Sequence, residues 1–172
     1  MCSGNSKEKL RKLMLEKIRN YDRKNEESLL ISERLLKDPD FSSSATILAF
    51  CPLKSEPDIT KSLEEKNILY PYIRDGRMEF SKAERLVKSP LGFLEPENPE
   101  TADYDHAVIL VPMVAFNEEG YRLGRGGGFY DRYLEENRHR LTIIGVAFSV
   151  SQSDSLPVES HDQRLDRIIT GL

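Results

Sequence analysis

The chain has 172 residues, of which 38% are hydrophobic and 31% are charged, and its formal net charge is -4. These values are typical of one globular domain that buries a core without disulfides, and they argue against a disordered chain. The small acidic excess argues against a dedicated nucleic-acid-binding protein, which needs a strong basic excess. Any anion-binding site must therefore be local.

The cysteines and the N-terminal residues indicate the cellular compartment. Cys2 and Cys51 lack metal-ligand spacing, and Cys51 lies in an apolar run that is typical of a buried thiol. The first ten residues, MCSGNSKEKL, lack the apolar core of an export signal, and no apolar stretch is long enough to span a bilayer. We therefore predict a cytoplasmic protein that does not contact a membrane.

The chain begins with two predicted helices. Ser6 is a candidate N-cap for the first, and Asn25 is a candidate N-cap for a second helix that runs through Leu36. The Asp38-Pro39 pair then ends the second helix, because proline disfavours helical backbone in the residue before it. The apolar face of the first helix is predicted to consist of Leu10, Leu13, Met14, Ile18 and Tyr21.

Strands and helices then alternate. The apolar residues 46–51 predict a strand buried on both faces, and Pro57 and Asp58 begin a short helix that ends near residue 66. The next residues predict a hairpin, with strands over 68–72 and 78–81 and a turn at Asp75 and Gly76.

The second half of the chain continues this alternation. The proline-rich and acidic residues 88–103 are predicted to form a surface loop, and further strands are predicted at residues 107–111, 142–148 and 168–169. Strands that alternate with helices predict an α/β fold with a mostly parallel sheet. We expect one domain that spans residues 1–172.

The segment GYRLGRGGGFYDRYL, residues 120–134, is rich in glycine and leads into a helical pattern. Gly124 and Gly126 to Gly128 allow positive φ angles and a close approach of the backbone to a ligand. Amides at a helix N-terminus bind anions, and Arg122 and Arg125 add donors that match phosphate geometry. The segment predicts a phosphate-binding loop, and the alternative is a flexible surface turn.

Two standard phosphate motifs do not match this segment. The Walker pattern requires a lysine and a hydroxyl residue after its last glycine, where this chain has Phe129 and Tyr130. The dinucleotide-binding pattern requires a glycine at the position of Phe129. Asp131, in the first turn of the following helix, is interpreted either as a partner of the helix dipole or as a ligand of Mg²⁺.

The glycine-rich segment resembles the signature of a known family. The segment RLGRGGGFYDRYL is similar to the signature of the 5-formyltetrahydrofolate cyclo-ligases, also called methenyltetrahydrofolate synthetases. Four further segments resemble that family in the same order, and they are KEKLR (7–11), FCPLKSEPDIT (50–60), VILVPMVAFNEEG (108–120) and LPVESHDQRLDRIIT (156–170). The resemblance covers nearly the whole chain. It implies a three-layer α/β/α fold of the kind shared with sugar-phosphate isomerases and CoA transferases.

The resemblance also implies a reaction and its small-molecule partners. ATP phosphorylates the formyl oxygen of 5-formyltetrahydrofolate to an iminium phosphate, and ring closure gives 5,10-methenyltetrahydrofolate, ADP and phosphate. Mg²⁺ is the implied cofactor, and we expect a monomer that binds no nucleic acid. The alternatives are a sugar-phosphate isomerase or deaminase on the same kind of sheet, and a non-catalytic nucleotide-binding module.

Each implied role is assigned to residues of this chain that match the family's motifs. Arg125 and Lys7 are the implied catalytic residues, and Asp131 and Asp162 are the implied metal ligands. The implied ATP-binding residues are Lys7, Glu8, Lys9, Leu10, Arg11, Arg122, Leu123, Gly124, Arg125, Gly126, Gly127, Gly128, Phe129 and Tyr130. The implied folate-binding residues are Arg11, Cys51, Glu56, Arg125, Gly126, Gly127, Gly128 and Phe129.

Simpler interpretations exist for several of these residues. Lys7 and Arg11, spaced i and i+4, also suit a solvated helix face, and Glu56 also suits an exposed acid before a helix. Tyr130 also suits a packing role. In HDQRLD, only Asp162 matches the family's metal position, Asp166 is interpreted as a brace, and His161 is interpreted as a surface residue. Where this chain has Phe129 many members have tyrosine, where it has Gly127 some have lysine, and residues 72–105 match the family weakly.

Overall fold

The computed structural model describes the backbone of residues 3–172 and the side chains from residue 6 onward, so Cys2 lies outside it. None of the helices in this range is both long enough and apolar enough to cross a lipid bilayer. The α-helices of the described range are α1 (Ser3–Asn20), α2 (Lys24–Lys37), α3 (Pro39–Ser43), α4 (Thr60–Leu63) and α5 (Phe129–Asn137).

Most of the strands form one sheet. In chain order the strands are β1 (Ile47–Leu48), β2 (Ile68–Arg74), β3 (Arg77–Ser81), β4 (Leu86–Lys88), β5 (Leu94–Pro96), β6 (Ala107–Pro112), β7 (Ala115–Phe116), β8 (Arg122–Leu123), β9 (Leu141–Val146) and β10 (Arg167–Ile169). The main sheet has the order β10-β9-β6-β1-β2-β3, and its neighbours are parallel except for β2 and β3. The pairs β4–β5 and β7–β8 form two separate antiparallel ribbons.

Different helices cover the two faces of the main sheet, because successive side chains of a strand point to opposite faces. Ile47 belongs to a buried cluster with Ile31 of α2, whereas the next residue, Leu48, belongs to a cluster with Leu134 of α5. Helices α3 and α4 contribute to the first cluster through Phe41 and Leu63. The predicted three-layer α/β/α fold with a mostly parallel sheet is therefore confirmed.

The chain changes direction across the sheet at β1. After β1 it continues to β2 on one side, and after the β2–β3 hairpin it returns to β6 on the other side of β1. Open α/β sheets bind ligands outside the carboxyl ends of their strands at such a switch point. In this chain Phe50 and Cys51 follow β1, and Met113 follows β6. The topology therefore places the expected ligand site beside these three residues.

Several helix details differ from the sequence prediction. Helix α1 already includes Ser6, and α2 already includes Asn25, so neither residue is the predicted N-cap. Arg23 stands at the N-cap of α2 and makes no side-chain cap bond, so this helix begins without the predicted cap. The buried stripe of α1 contains Met14 and Ile18, whereas Leu13 is 50% exposed and does not belong to it.

The predicted strands also differ in extent. Residues 46–51 were expected to form one strand, but β1 has only two residues, although burial continues through Phe50. The predicted hairpin is confirmed, because Asp75 and Gly76 both have positive φ angles, as a tight two-residue hairpin turn requires. The prediction of a surface loop over residues 88–103 is wrong in part, because β5 lies in that range and pairs with β4.

Two carboxylates near the ends of α2 hold the C-terminal segment. The buried Glu27 accepts hydrogen bonds from the backbone amides of Ser149, at 2.6 Å, and Gly171, at 3.0 Å. Asp38, which follows α2, accepts two bonds of 2.6 and 2.7 Å from the guanidinium of Arg167. These contacts fix β10 at the edge of the main sheet.

Candidate active site

A cavity of about 620 Å³ lies at the carboxyl edge of the main sheet, beside Phe50, Cys51 and Met113. The glycine-rich segment and residues from α1 line one part of it, and apolar residues of the β2–β3 and β4–β5 hairpins line another. Its size is within the range of sites that enclose small molecules. The site is therefore at the position that the sheet topology indicates.

The glycine-rich segment follows β8 and ends at the first turn of α5. Gly126 has a φ of 103° and Gly128 a φ of 68°, which residues with a side chain rarely adopt. Gly128 stands at the N-cap position of α5. Because glycine has no side chain that could cap the helix, the first amides of α5 need another partner. A bound anion satisfies such amides, and the helix dipole favours its negative charge.

Arg11 of α1 packs along this segment. Its Nε donates a hydrogen bond of 2.8 Å to the carbonyl oxygen of Gly124. Its guanidinium also lies 3.4 Å from the point where a Cβ on Gly126 would stand, so glycine permits the close approach. Arg11 therefore faces the cavity, which contradicts the interpretation of Lys7 and Arg11 as a solvated helix face.

Lys7 binds carboxylates that follow it by more than 150 positions. Its Nζ donates to Oε2 of Glu159 at 2.6 Å and to Oδ2 and Oδ1 of Asp162 at 2.8 and 3.0 Å. Only 11% of the Lys7 side chain is exposed. Burial alone would lower the pKa of Lys7, but its hydrogen bonds to Asp162 and Glu159 raise the pKa above its ordinary value.

A second buried cation holds Asp131. The Arg122 side chain is 3% exposed, and it donates to Oδ1 of Asp131 at 2.9 Å and to the carbonyl oxygen of Gln163 at 3.0 Å. The backbone amide of Gln163 donates to the same Asp131 oxygen at 3.1 Å. Asp131 is therefore tied to the C-terminal segment in addition to its position in the first turn of α5.

A third cation joins the glycine-rich segment to the loop after β1. Arg125, which is 44% exposed, donates from Nε to Oε1 of Glu56 at 3.3 Å and from Nη2 to the hydroxyl of Ser55. Glu56 is only 8% exposed and also accepts from the backbone amide of Leu53 at 2.9 Å. Burial raises the pKa of Glu56, and the Leu53 amide and Arg125 reduce that rise without cancelling it.

The opposite part of the cavity is apolar. Ile73 and Met78 of the β2–β3 hairpin line it, together with Leu91 and Phe93, which lie between β4 and β5. Leu91 lines the cavity and is 61% exposed, which places it at the mouth of the cavity. Burial raises the pKa of the Cys51 thiol to about 11, so Cys51 is a neutral part of this wall.

The structure brings most of the predicted site residues to one cavity, but it separates several. Lys9 is exposed on α1 and Leu10 is buried in a hydrophobic cluster, and neither is part of the cavity wall. Glu8 lines a smaller neighbouring pocket of about 300 Å³. The predicted site residues that do line the main cavity are Lys7, Arg11, Cys51, Glu56, Arg122, Leu123, Gly124, Arg125, Gly126, Gly127, Gly128, Phe129, Tyr130, Asp131 and Asp162.

The C-terminal HDQRLD segment does not form a helix, so Asp162 and Asp166 do not share a helix face. Asp166 accepts hydrogen bonds from Arg138 and from the backbone amide of Ile143, at 2.7 Å, and so braces the chain away from the cavity. His161 is exposed as predicted, yet it lies at the cavity wall.

Sequence reasoning missed several residues of the cavity wall. Glu159 is the most important of them, because it shares the Lys7 ammonium with Asp162. Its only local signal was the closeness of three metal-ligating residue types in ESHD, residues 159–162. Leu91 and Phe93 were missed because they lie in a segment that was predicted to be a surface loop.

The fold and the cavity define an α/β protein of the class that binds small molecules at the carboxyl edge of a parallel sheet. Within that class, the chain belongs to the 5-formyltetrahydrofolate cyclo-ligase family, whose model matches residues 3–171.

Individual proteins agree with this assignment. A 5-formyltetrahydrofolate cyclo-ligase from Mycolicibacterium smegmatis is 32% identical over 145 residues, which cover 74% of this chain and 74% of that protein. The solution structure of 5,10-methenyltetrahydrofolate synthetase from Aquifex aeolicus is 31% identical and superposes with a TM-score of 0.81, over 96% of this chain and 89% of that one. The structure of the Mycoplasma pneumoniae 5,10-methenyltetrahydrofolate synthetase gives 26% identity and a TM-score of 0.78, over 96% and 99% of the two chains.

Proposed function

We propose that this chain catalyses the ATP-dependent conversion of 5-formyltetrahydrofolate to 5,10-methenyltetrahydrofolate, with release of ADP and phosphate. The observation that carries the proposal is one continuous cavity whose wall combines a glycine-rich, arginine-flanked segment with an apolar surface. Such a cavity suits two substrates that must react with each other, because one is a polyanion and the other has a large flat ring system. Family membership favours this function over a sugar-phosphate isomerase and over a non-catalytic module.

The reaction requires two bond exchanges within one enclosed site. The formyl oxygen attacks the γ-phosphorus of ATP, the bond from that phosphorus to the bridging oxygen breaks, and ADP leaves. The neighbouring anilino nitrogen then attacks the formyl carbon, the bond from carbon to the phosphorylated oxygen breaks, and the anilino nitrogen loses its proton. Positioning and stabilisation of charge on the transferring phosphoryl group supply most of the catalysis in such a step.

In this proposal the glycine-rich segment and α1 hold the triphosphate. The backbone amides at Gly126 to Gly128 and the N-terminus of α5 donate to phosphate oxygens, and Arg11 and Lys7 add charge from the opposite side. Arg125 is the proposed catalytic cation. It belongs to the glycine-rich segment, pairs with Glu56, and is more exposed than the paired cations Lys7 and Arg122. A phosphate that displaces Glu56 from the guanidinium gains a bidentate, charge-assisted contact.

The carboxylates of the cavity fit a magnesium ion. Both hydrogen bonds found for Asp131 in the described residues go to Oδ1, which leaves Oδ2 for a cation. The ligand atoms of Asp162, Glu159 and His161 lie within 4.8 Å of one another, and carboxylate oxygens are the donors that Mg²⁺ prefers. When bound, Mg²⁺ supplies positive charge to the phosphate oxygens. Asp131 does not belong to the cluster of Asp162, so the pairing of these two residues as ligands is part of the proposal.

The folate is proposed to occupy the apolar part of the cavity. Glu56 faces it and accepts hydrogen bonds from the ring N–H groups of the pterin, and the neutral Cys51 thiol packs against the ring. Ile73, Met78 and Phe93 complete an apolar wall that excludes water from the iminium phosphate, which water would otherwise hydrolyse. We also propose that the protein acts as a monomer in the cytoplasm and that residues 1–172 form a single domain.

The direct test is the appearance of methenyltetrahydrofolate absorbance in the near ultraviolet. Purified protein is mixed with 5-formyltetrahydrofolate, ATP and Mg²⁺, and each of the three is omitted in turn. The proposal expects the absorbance only in the complete mixture, with one ADP released for each product formed. Absence of this absorbance at high protein concentration, with the protein shown to be folded by circular dichroism, would contradict the proposal.

A further inference from the structure

One end of the cavity already contains a cation. The Lys7 ammonium lies among three carboxylate oxygens, at 2.6 Å from Oε2 of Glu159 and at 2.8 and 3.0 Å from the two oxygens of Asp162. His161 is next to them, with Nε2 at 3.5 Å from Oε2 of Glu159. Clustered carboxylate oxygens are also the ligands that a divalent cation prefers, and such a cation would draw them closer than the ammonium does.

The backbone holds the two carboxylates together. In the turn over residues 159–162, the amide of Asp162 donates to the carbonyl oxygen of Glu159 at 3.0 Å. The amide of Glu159 in turn donates to Oδ2 of Asp162 at 2.7 Å. Ligand oxygens of these two carboxylates lie within 4.8 Å of each other, so the two negative charges repel and a nearby cation stabilises the arrangement. Lys7 supplies it from α1.

Lys7 and a metal ion cannot occupy this position together. An ammonium that is bonded to both carboxylates repels a second cation at the same position. When Lys7 leaves, its competition with a divalent ion for these oxygens ends. A triphosphate provides an alternative partner for the ammonium a short distance away, because Lys7 lines the same cavity as the glycine-rich segment.

We infer that Lys7 is the resident counter-cation of the metal site, that Glu159 is the residue that positions it, and that metal–nucleotide binding moves Lys7 from the carboxylates to phosphate. This inference rests on the proposed function, because it assumes a metal–triphosphate ligand. It assigns a role to Glu159 that the sequence did not indicate. It also implies that the nucleotide-free protein binds a divalent cation poorly, since its own lysine competes.

The test measures Mn²⁺ binding to the folded, nucleotide-free protein by electron paramagnetic resonance and by calorimetry. Lys7→Met is expected to bind Mn²⁺ at least about tenfold more tightly than the wild type, because the competing charge is gone. The double variant Lys7→Met/Glu159→Gln is expected to lose most of that gain. Lys17→Met removes a charge from the exposed last turn of α1 and is expected to behave like the wild type.

Unchanged or weaker Mn²⁺ binding in Lys7→Met would overturn the inference, as would an equal gain in Lys17→Met. If Lys7→Met does not fold, Lys7→Gln makes the same comparison with a polar side chain. A second measurement tests Glu159 as a positioning residue: Glu159→Gln is expected to raise the KM for metal–ATP at least about fivefold with a smaller change in kcat, and Glu159→Asp is expected to restore part of it. The binding assay contains neither nucleotide nor folate, so the inference can fail while cyclisation persists, and cyclisation can fail while competition between Lys7 and Mn²⁺ is observed.

Discussion

Replacement of Arg125 separates catalysis from folding more cleanly than other changes in the cavity. Its guanidinium bonds to Glu56 and to the Ser55 hydroxyl, and nearly half of the side chain is exposed. Arg125→Ala therefore removes a charged donor from the cavity without opening a buried hole. The backbone of the glycine-rich segment keeps its other contacts, including the bond from Arg11 to the Gly124 carbonyl.

The expected magnitudes for activity and stability differ. Loss of one charged contact to a transferring phosphoryl group costs about 2–4 kcal/mol of transition-state stabilisation, which is roughly a 30-fold to 1,000-fold fall in kcat/KM. The ion pair with Glu56 is partly exposed, so its loss costs roughly 1 kcal/mol of unfolding free energy or less. Because Glu56 stays buried without its cation, its pKa should rise further.

The assay follows initial rates of near-ultraviolet absorbance at varied ATP and varied 5-formyltetrahydrofolate, with urea unfolding measured in parallel. Arg77→Ala is the matched control, because Arg77 also forms an exposed ion pair, with Glu136 at 2.6 Å, but does not line the cavity. We expect the control to keep wild-type kinetics. Wild-type kinetics in Arg125→Ala would show that the segment does not hold phosphate, and an equal loss in both variants would show that the effect is not local.

Three further predictions concern other parts of the molecule. Asp131→Asn should lower kcat/KM roughly 10-fold to 100-fold at low Mg²⁺ and recover partly in excess Mg²⁺, and full activity at low Mg²⁺ would remove Asp131 from the metal site. Leu91→Ser should raise the KM for 5-formyltetrahydrofolate roughly threefold to tenfold with little change in the KM for ATP, because Leu91 lies at the apolar mouth of the cavity; an equal effect on both substrates would contradict this. Asp38→Asn, measured by urea unfolding, should lower the unfolding free energy by roughly 1–2 kcal/mol at pH 7. Burial would raise the pKa of Asp38, but its hydrogen bonds from Arg167 and the Phe41 amide hold the pKa below its ordinary value. The stabilisation is therefore fully present above the ordinary pKa of an aspartate and is lost as the pH falls through the lower folded-state pKa. A stability difference between the two proteins that does not shrink as the pH is lowered through the acid range would contradict the assignment.

The parts of the molecule that follow from local patterns could be predicted from the sequence. The glycine-rich segment and the first turn of α5 are one continuous stretch, so the positive φ angles of Gly126 and Gly128 could be predicted, whereas anion binding by this segment stays a prediction. The buried strand β6 and the hairpin turn at Asp75 and Gly76 were predicted for the same reason, because their apolar runs and turn residues are local. N-caps were not predicted correctly, because serine and asparagine are also tolerated inside the first turns of helices that packing extends.

The contacts across long sequence separations could not be predicted. The pairing of Lys7 with Glu159 depends on the position of α1 beside the C-terminal segment. Local sequence patterns carry no information on that position. Leu91 and Phe93 lie between short strands in a proline-rich stretch, where apolar periodicity is interrupted. The resemblance to the family matched residues 72–105 only weakly, so it gave no substitute for the missing pattern.

The ion pair between Lys7 and Asp162 has a consequence for folding during translation. These partners are separated by 155 positions, so the ion pair cannot form until the ribosome has synthesised the whole intervening chain. A truncated product that stops before residue 159 has the glycine-rich segment but lacks the carboxylates that neutralise Lys7. This end of the cavity therefore forms only in chains whose synthesis has passed residue 162.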